Sequence, residues 1–343
     1  MRILVCTSQV PFARGGAEAL SDGLCHALRE HGHEADIVSL PYSWTPRPNL
    51  FKSALAWRLL DLHQVNGQPV DALICTKFPS YAAKHARKIV WLVHQHRQAY
   101  DWRGTPLSDW GAQPNDAQSL DLLQRLDRRT LGEAHARFAI SYNVAARLQR
   151  FNRLNAQVLY PPSPLMSKLE PGPYGDYILS ISRLDRAKRI DLLLDALAQV
   201  PVPLRAVIAG RGPDEARLRQ RAQALKLGTR VTFAGFVNDN EAIDLYRNAR
   251  AVFYAPVDED YGFATIEAFA ANKPVLTATD AGGVLEFVEH NVSGLTTAPQ
   301  PQAVAAALQQ LGDVQWAEHL GESNRARVAH IGWDHVVRTL LGV

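Results

Sequence analysis

Residues 255–283 read APVDEDYGFATIEAFAANKPVLTATDAGG, and they hold two glutamates, Glu259 and Glu267, with seven residues between them. Ile266, Phe269 and Ala270 recur at helical spacing and mark a core-facing stripe, which places Glu267 on an apolar helix. An ionised carboxylate there loses on the order of several kcal/mol of hydration unless a fixed partner replaces the water. Two readings follow: Glu267 serves a ligand, or it closes a structural ion pair. Gly262 and the Gly282-Gly283 pair bracket the segment, where backbone can approach a ligand closely.

Outward from this stretch the chain alternates. Short apolar runs at 2–6, 34–40, 71–75, 89–93, 136–140 and 156–160, with helical patterns between most of them, predict the buried strands of a doubly wound α/β domain. Pro161-Pro162-Ser163-Pro164 interrupts the series, and the polar, Gly/Pro-containing stretch to Asp176 reads as a linker. A second series follows, with strands at 177–181, 204–209, 230–234, 251–255 and 274–278 and helices over 190–199, 214–225, 240–248 and the Glu267 segment. The expected division is an N-terminal domain over 1–163, a linker over 164–175 and a C-terminal domain over 176–325. Two Rossmann-like halves leave a cleft as the expected active site.

Length agrees with that division, because 343 residues exceed the single core of roughly 250–300 that globular chains sustain. A net charge of +3 and a pI near 8.7 are too small a bias to argue for nucleic acid, though they favour anionic partners such as nucleotides. Cys6, Cys25 and Cys75 are odd in number and lack CxxC spacing, so they read as reduced core residues of a cytoplasmic protein. The first residues lack the apolar length of a secretory signal, and no run of about 18 apolar residues predicts a membrane span.

In doubly wound sheets ligands bind beyond the carboxyl ends of the strands, which gives priority to residues just after each run. Gly15 and Gly16 precede the first helix, whose N-terminal amides suit an anion. His94 follows the strand IVWLV and opens the polar loop HQHRQAYDWRG; His-x-His alone is too little for a metal site. Arg183, Arg186, Lys188 and Arg189 follow YILSI, and Arg183 and Lys188 suit a diphosphate. Gly210-Arg211-Gly212-Pro213 and Gly235-Phe236-Val237 follow the next two strands, as close approaches to a planar base or as ordinary turns.

Taken together these pieces resemble the retaining GT-B glycosyltransferases of glycosyltransferase family 4. The resemblance rests on GGAE at 15–18, SRLDRAKR at 182–189, the Gly-Arg-Gly-Pro loop, and Glu259-Asp260-Tyr261-Gly262-Phe263 with Glu267-Ala268. Lys273-Pro274-Val275 and Gly282-Gly283 complete it. The chain departs from the family pattern at Tyr160-Pro161-Pro162 and at Ala271-Asn272-Lys273.

The resemblance implies a GT-B fold, α/β with two Rossmann-like domains, and a last helix, about 326–343, that crosses back to the first domain. It implies that Glu267 binds the nucleotide ribose, that Glu259 lies at the donor hexose, and that amides around Tyr261, Gly262, Phe263 and Ala264 meet sugar and phosphate. Arg183 and Lys188 would stabilise the leaving diphosphate and His94 would contact the donor sugar. Gly15 and Gly16 would admit the diphosphate, and Gly210, Arg211, Phe236 and Val237 would flank the base. The donor implied is a nucleotide-diphosphate sugar, GDP-mannose or a UDP-hexose, with no metal and no other cofactor. The acceptor implied is a glycan or lipid-linked glycan of bacterial surface polysaccharide synthesis, with peripheral contact at the inner membrane face left open. Trp44, Trp57, Trp91, Arg97, Tyr100, Trp102 and Trp110 are the residues available to meet it, with several of them expected to be core. The alternatives are a sugar-nucleotide epimerase of the same fold and a non-catalytic glycan-binding protein; a dehydrogenase is disfavoured because no G-x-G-x-x-G opens either half.

Overall fold

A computed structural model describes residues 1–12, 15–111, 115–201 and 204–342. The chain divides into two compact units, one of residues 1–162 with 331–343 and the other of residues 163–330.

The first unit runs β1 (Arg2–Gln9), α1 (Gly16–Glu30), β2 (Glu34–Pro41), α2 (Pro48–Leu59), then a small hairpin of β3 (Gln64–Val65) and β4 (Gln68–Pro69). It continues with β5 (Ala72–Lys77), β6 (Lys88–His94), α3 (Asp116–Gly132), β7 (Ala136–Ala139), α4 (Tyr142–Asn152) and β8 (Gln157–Val158). Six parallel strands lie in the order β2-β1-β5-β6-β7-β8. The runs that form β1, β5 and β6 are buried on both faces, most completely in β5, where all six residues are buried, whereas the edge strand β2 is largely exposed. The run at 156–160 forms only two residues of ladder.

The second unit runs β9 (Tyr177–Ile181), α5 (Ile190–Leu197), β10 (Arg205–Ala209), α6 (Glu215–Ala224), β11 (Val231–Gly235), α7 (Asp239–Asn248), β12 (Ala251–Phe253) and α8 (Phe263–Ala270). After these come β13 (Val275–Ala278), β14 (Gly294–Thr297), α9 (Pro301–Leu311), α10 (Val314–Gly321) and α11 (Asn324–Val328). Its parallel sheet has the order β11-β10-β9-β12-β13-β14. Counted from β9 this is 3-2-1-4-5-6, the dinucleotide-fold order, and the switch point lies between β9 and β12.

The stretch read as a linker is instead part of the second unit. Leu169 is fully buried, and the Lys273 ammonium donates to the Gly172 and Pro173 carbonyls, each at 2.8 Å, while sitting 4.0 Å from the centre of the Tyr174 ring. Composition pointed to a linker because Gly and Pro are frequent there; the anchor is a buried lysine a hundred residues later, which no local pattern reveals. The division also differs by a few residues from the expected one: Ser163 and 326–330 belong to the second unit.

The last described helix, α12 (Trp333–Leu341), returns to the first unit and buries Val336, Val337, Leu340 and Leu341. Trp333 fills a notch on α1, since a Cβ added to Gly23 lies 2.5 Å from its ring, and it meets Trp91 edge-on at 6.3 Å. Gly23→Val is expected to displace the Trp333 ring and cost about 1–3 kcal/mol. A lower melting temperature together with faster proteolytic release of the C-terminal segment checks this.

Candidate functional site

The carboxyl end of β9 and the carboxyl end of β12 border the switch point, and both deliver charged side chains there. From the β9 side, Asp185 caps a short turn over Arg186–Lys188 by accepting from the Ala187 amide, which brings Lys188 towards β12. From the β12 side come Tyr254 and the loop to Glu259. The Lys188 ammonium donates to Glu259 Oε2 and, at 3.1 Å, to the Tyr254 hydroxyl, which itself donates to Glu259 Oε2 at 2.8 Å. Burial works to raise the Glu259 carboxyl, but the Lys188 charge outweighs it and holds the group below its ordinary value. Burial likewise opposes the Lys188 charge, and Glu259 reverses the effect, so the ammonium is held above its ordinary range.

The 258–260 loop is fixed by its neighbour. The Asp258 and Glu259 amides donate to the Asp280 and Ala281 carbonyls, and the Gly283 amide returns a bond to the Glu259 carbonyl at 2.8 Å. A Cβ on Gly283 would stand 2.5 Å from the Asp260 carbonyl oxygen. Gly283 is therefore a glycine because two backbones pass each other, not because a ligand needs the space. Asp258-Glu259-Asp260 is an Asp-x-Asp triplet by sequence; among the described residues no group of three or more His, Cys, Asp or Glu is placed to hold a metal ion.

Gly262 then turns the chain into α8 with φ at +90°, and its missing Cβ makes room for the Tyr254 ring 2.7 Å away. No side chain caps α8, so the amides that follow Gly262 open an anion-binding helix terminus. Phe263 is half-buried and Ala264 buried, and Tyr261 is buried edge-on against Phe263 and Phe287.

One turn further along α8 stands Glu267. It makes no ion pair among the described residues: Ser163 Oγ donates to one carboxylate oxygen and Tyr246 donates to the other at 2.7 Å. Burial raises its carboxyl above the ordinary value, and these two donors only moderate the rise. The structural ion-pair reading of Glu267 is thereby set aside.

The remaining second-unit candidates divide. Arg183 is exposed and has no acidic partner within ion-pair distance among the described residues, whereas Arg189 is held bidentate by Asp280 at 2.6–2.7 Å and Arg186 reaches Asp214 at 3.3 Å. Gly210 has φ at +122° and passes so close to Ser182 that a Cβ would lie 1.9 Å from its carbonyl oxygen, so strand-end packing requires the glycine. Arg211 and Phe236 are exposed and Val237 is half-buried after the ends of β10 and β11.

In the first unit, Gly15 precedes α1 and donates its amide to Glu18 at 2.9 Å; Glu18 in turn accepts from the buried Lys77 ammonium at 2.5 Å. Gly16 is the first helical residue. Lys77 ends β5, which neighbours β1 at the order reversal of this sheet. His94 ends β6, half-buried, with Nδ1 2.8 Å from the Gln95 carbonyl. His96 is core: it lies between the Tyr42 hydroxyl at 2.9 Å and the Trp110 indole at 3.4 Å, and burial pushes it down to about 3. Trp57, Trp91, Tyr100 and Trp110 are buried, and Arg97 is buried against Asp101 with Trp102 stacked over it at 4.2 Å. Of the residues proposed for an acceptor, only Trp44 and Trp102 keep half-exposed rings. No helix among the described residues is long and apolar enough to cross a membrane.

Residues 167–326 match the family described as Glycosyl transferases group 1. The match covers just under half of the chain. Alpha-1,3/1,6-mannosyltransferase ALG2 from Homo sapiens is 31% identical over 44% of this chain and 40% of its own length; the Mus musculus protein of the same name is 25% identical over 92% and 89%. The chain spans less than half the length of the curated relatives it matches at 30% identity or above. Among solved structures, sucrose-phosphate synthase from Thermosynechococcus elongatus superposes with a TM-score of 0.79 at 21% identity over 99% of both chains. Anabaena Alr3699/HepE in complex with UDP-glucose gives 0.73 at 19% identity over 100% of this chain and 98% of its own. The fold is GT-B, with two α/β units of the Rossmann type.

Within the second unit, Tyr254, Tyr246 and Ser163 are site residues that the sequence reading missed. Tyr254 falls inside the run 251–255 that reads as a strand, which ends instead at Phe253, so the strand-end rule passes over it; Ser163 and Tyr246 meet Glu267 across 104 and 21 positions and carry no local signal. Because the folded value of Glu267 is raised, the folded state binds more protons there than the unfolded chain. Its contribution to stability is therefore favourable at acid pH and falls as pH rises from the ordinary carboxylate range through the raised value. Removing both donors with Ser163→Ala and Tyr246→Phe is expected to deepen that fall, costing about 1–3 kcal/mol more at pH 7.5 than at pH 4.5. Melting curves at the two pH values, with Glu267→Gln in the same background flattening the difference, check it.

Proposed function

We propose that this protein is a retaining glycosyltransferase that moves a hexose from a nucleotide-diphosphate sugar to a glycan or lipid-linked glycan acceptor. The observation that carries the reading is the placement, beyond the switch-point strands β9 and β12, of the half-buried Lys188, of Arg183, which has no acidic partner among the described residues, and of an uncapped helix N-terminus, in a segment that matches the group 1 family. Three positive features around one point suit a diphosphate, and a carboxylate one turn along the same helix suits ribose hydroxyls. ALG2 is named a mannosyltransferase and HepE is solved with UDP-glucose, which supports GDP-mannose or a UDP-hexose as donor.

In this reading the bond from the anomeric carbon to the phosphate oxygen breaks as the acceptor oxygen bonds to the same face. The departing phosphate takes the acceptor proton, and the nucleoside diphosphate leaves. Lys188, Arg183 and the α8 amides stabilise the negative charge that gathers on the phosphate. Glu259 and Glu267 are binding groups and not the acid/base pair of a double-displacement hydrolase. The reaction proceeds without a metal, in the cytoplasm, on acceptors of a bacterial surface polysaccharide or at the inner membrane face.

Thermal-shift measurement with UDP, GDP and ADP identifies the base, and turnover with the matching sugar nucleotides then identifies the sugar. Lys188→Ala and Glu267→Ala are each expected to abolish release of the nucleoside diphosphate while leaving the fold intact by circular dichroism. Full activity in either variant refutes the assignment.

A further inference from the structure

We propose that Tyr254 is a positioning residue of the donor site: its hydroxyl stands between Lys188 and Glu259 and fixes where the lysine charge is presented. The inference rests on the donor-site reading above. Tyr254 follows β12 directly, and its amide donates to the Leu276 carbonyl of β13 at 3.0 Å, so its backbone is held by the sheet. The side chain is buried, with 6% of its surface exposed. Its hydroxyl accepts from the Lys188 ammonium at 3.1 Å and gives its only proton to Glu259 at 2.8 Å. Filling the core requires the ring alone; it does not require a hydroxyl between two opposite charges.

The ring has a second task. The Lys188 ammonium lies 5.4 Å from the ring centre, and the ring edge occupies the space that a Cβ on Gly262 would take. Tyr254 therefore touches the cation, the carboxylate and the residue that starts α8, three parts contributed by separate segments of the chain. A lysine carries four rotatable bonds and, opposite a carboxylate, is free to swing wholly onto it. An acceptor on a two-torsion aromatic side chain holds one ammonium proton in a second direction and leaves the third for an anion. Burial and the Glu259 charge keep the phenol well above its ordinary value, so it stays protonated and remains a donor to Glu259.

Tyr254→Phe keeps the ring and its packing and removes only the hydroxyl. Lys188 and Glu259 remain, so binding of nucleoside diphosphate persists while the placement of charge in the transition state degrades. The expected result is a fall in kcat of about 10- to 100-fold, with KM for the sugar nucleotide and Kd for the free nucleoside diphosphate changed less than about 3-fold. The acid limb of the kcat profile moves to higher pH, because Glu259 loses one of the side-chain donors that hold its carboxyl down. Tyr254→Gln, which can accept from Lys188 and donate to Glu259, recovers part of kcat relative to Tyr254→Leu, which can do neither.

A second measurement stands apart from activity. Carbon-13 titration of the glutamate carboxyls, with Glu259 assigned by Glu259→Gln, is expected to show the Glu259 midpoint rising in Tyr254→Phe. Wild-type kcat with an unshifted acid limb overturns the proposal, as does loss of nucleotide affinity that accounts for the whole defect. Should the wild-type protein turn over no sugar nucleotide, the transferase reading fails by itself; an unshifted Glu259 titration then still overturns the role of Tyr254.

Discussion

The structure depends on a property of parallel sheets: where successive connections leave to opposite sides, the carboxyl ends of two neighbouring strands are left uncovered. In the second unit those strands are β9 and β12. One leads to a cationic turn and the other to an acidic loop, so the uncovered point receives Lys188 from one direction and Glu259 with Tyr254 from the other. Each charge offsets the hydration that the other loses in that half-buried setting. The first unit repeats the arrangement where β1 meets β5, with Glu18 and Lys77.

The two glutamates that frame α8 are chemically unlike. Glu259 is compensated by a full positive charge and is driven towards ionisation; Glu267 is compensated by two neutral hydroxyls and is driven away from it. A carboxylate held by hydroxyls keeps lone pairs for further donors such as ribose hydroxyls, whereas one locked to a lysine shares its charge with whatever the lysine binds. The spacing in sequence is the same kind of signal for both. Their separate roles come from partners supplied by distant segments.

The alternation of apolar runs and helical stripes was enough to place the strands and the Rossmann-type organisation, because strands buried on both faces leave a strong local trace. The strand-end rule likewise led to His94, Arg183 and Lys188. What it could not reveal was long-range closure. The stretch before Asp176 reads as loose because it is rich in Gly and Pro, yet Lys273 ties its carbonyls into the second unit. Gly283 reads as an opening for a ligand and Gly210 as that or an ordinary turn, and each lies against a neighbouring backbone that leaves no room for a Cβ. Four of the aromatic residues set aside for an acceptor are core, because a tryptophan's burial depends on the far side of the fold and not on its neighbours in sequence.

Helix α12 has a bearing on how the chain reaches this state during synthesis. The first unit lacks the residues that fill its notch at Gly23 until a whole second unit, residues 163–330, has been translated. The second unit is continuous in sequence and can condense as soon as it clears the ribosome, while the first waits, partly open, with the α1 face that receives Trp333 exposed. The domain made first is thus the one finished last, and for that interval the newborn chain displays an apolar surface that chaperones are suited to cover.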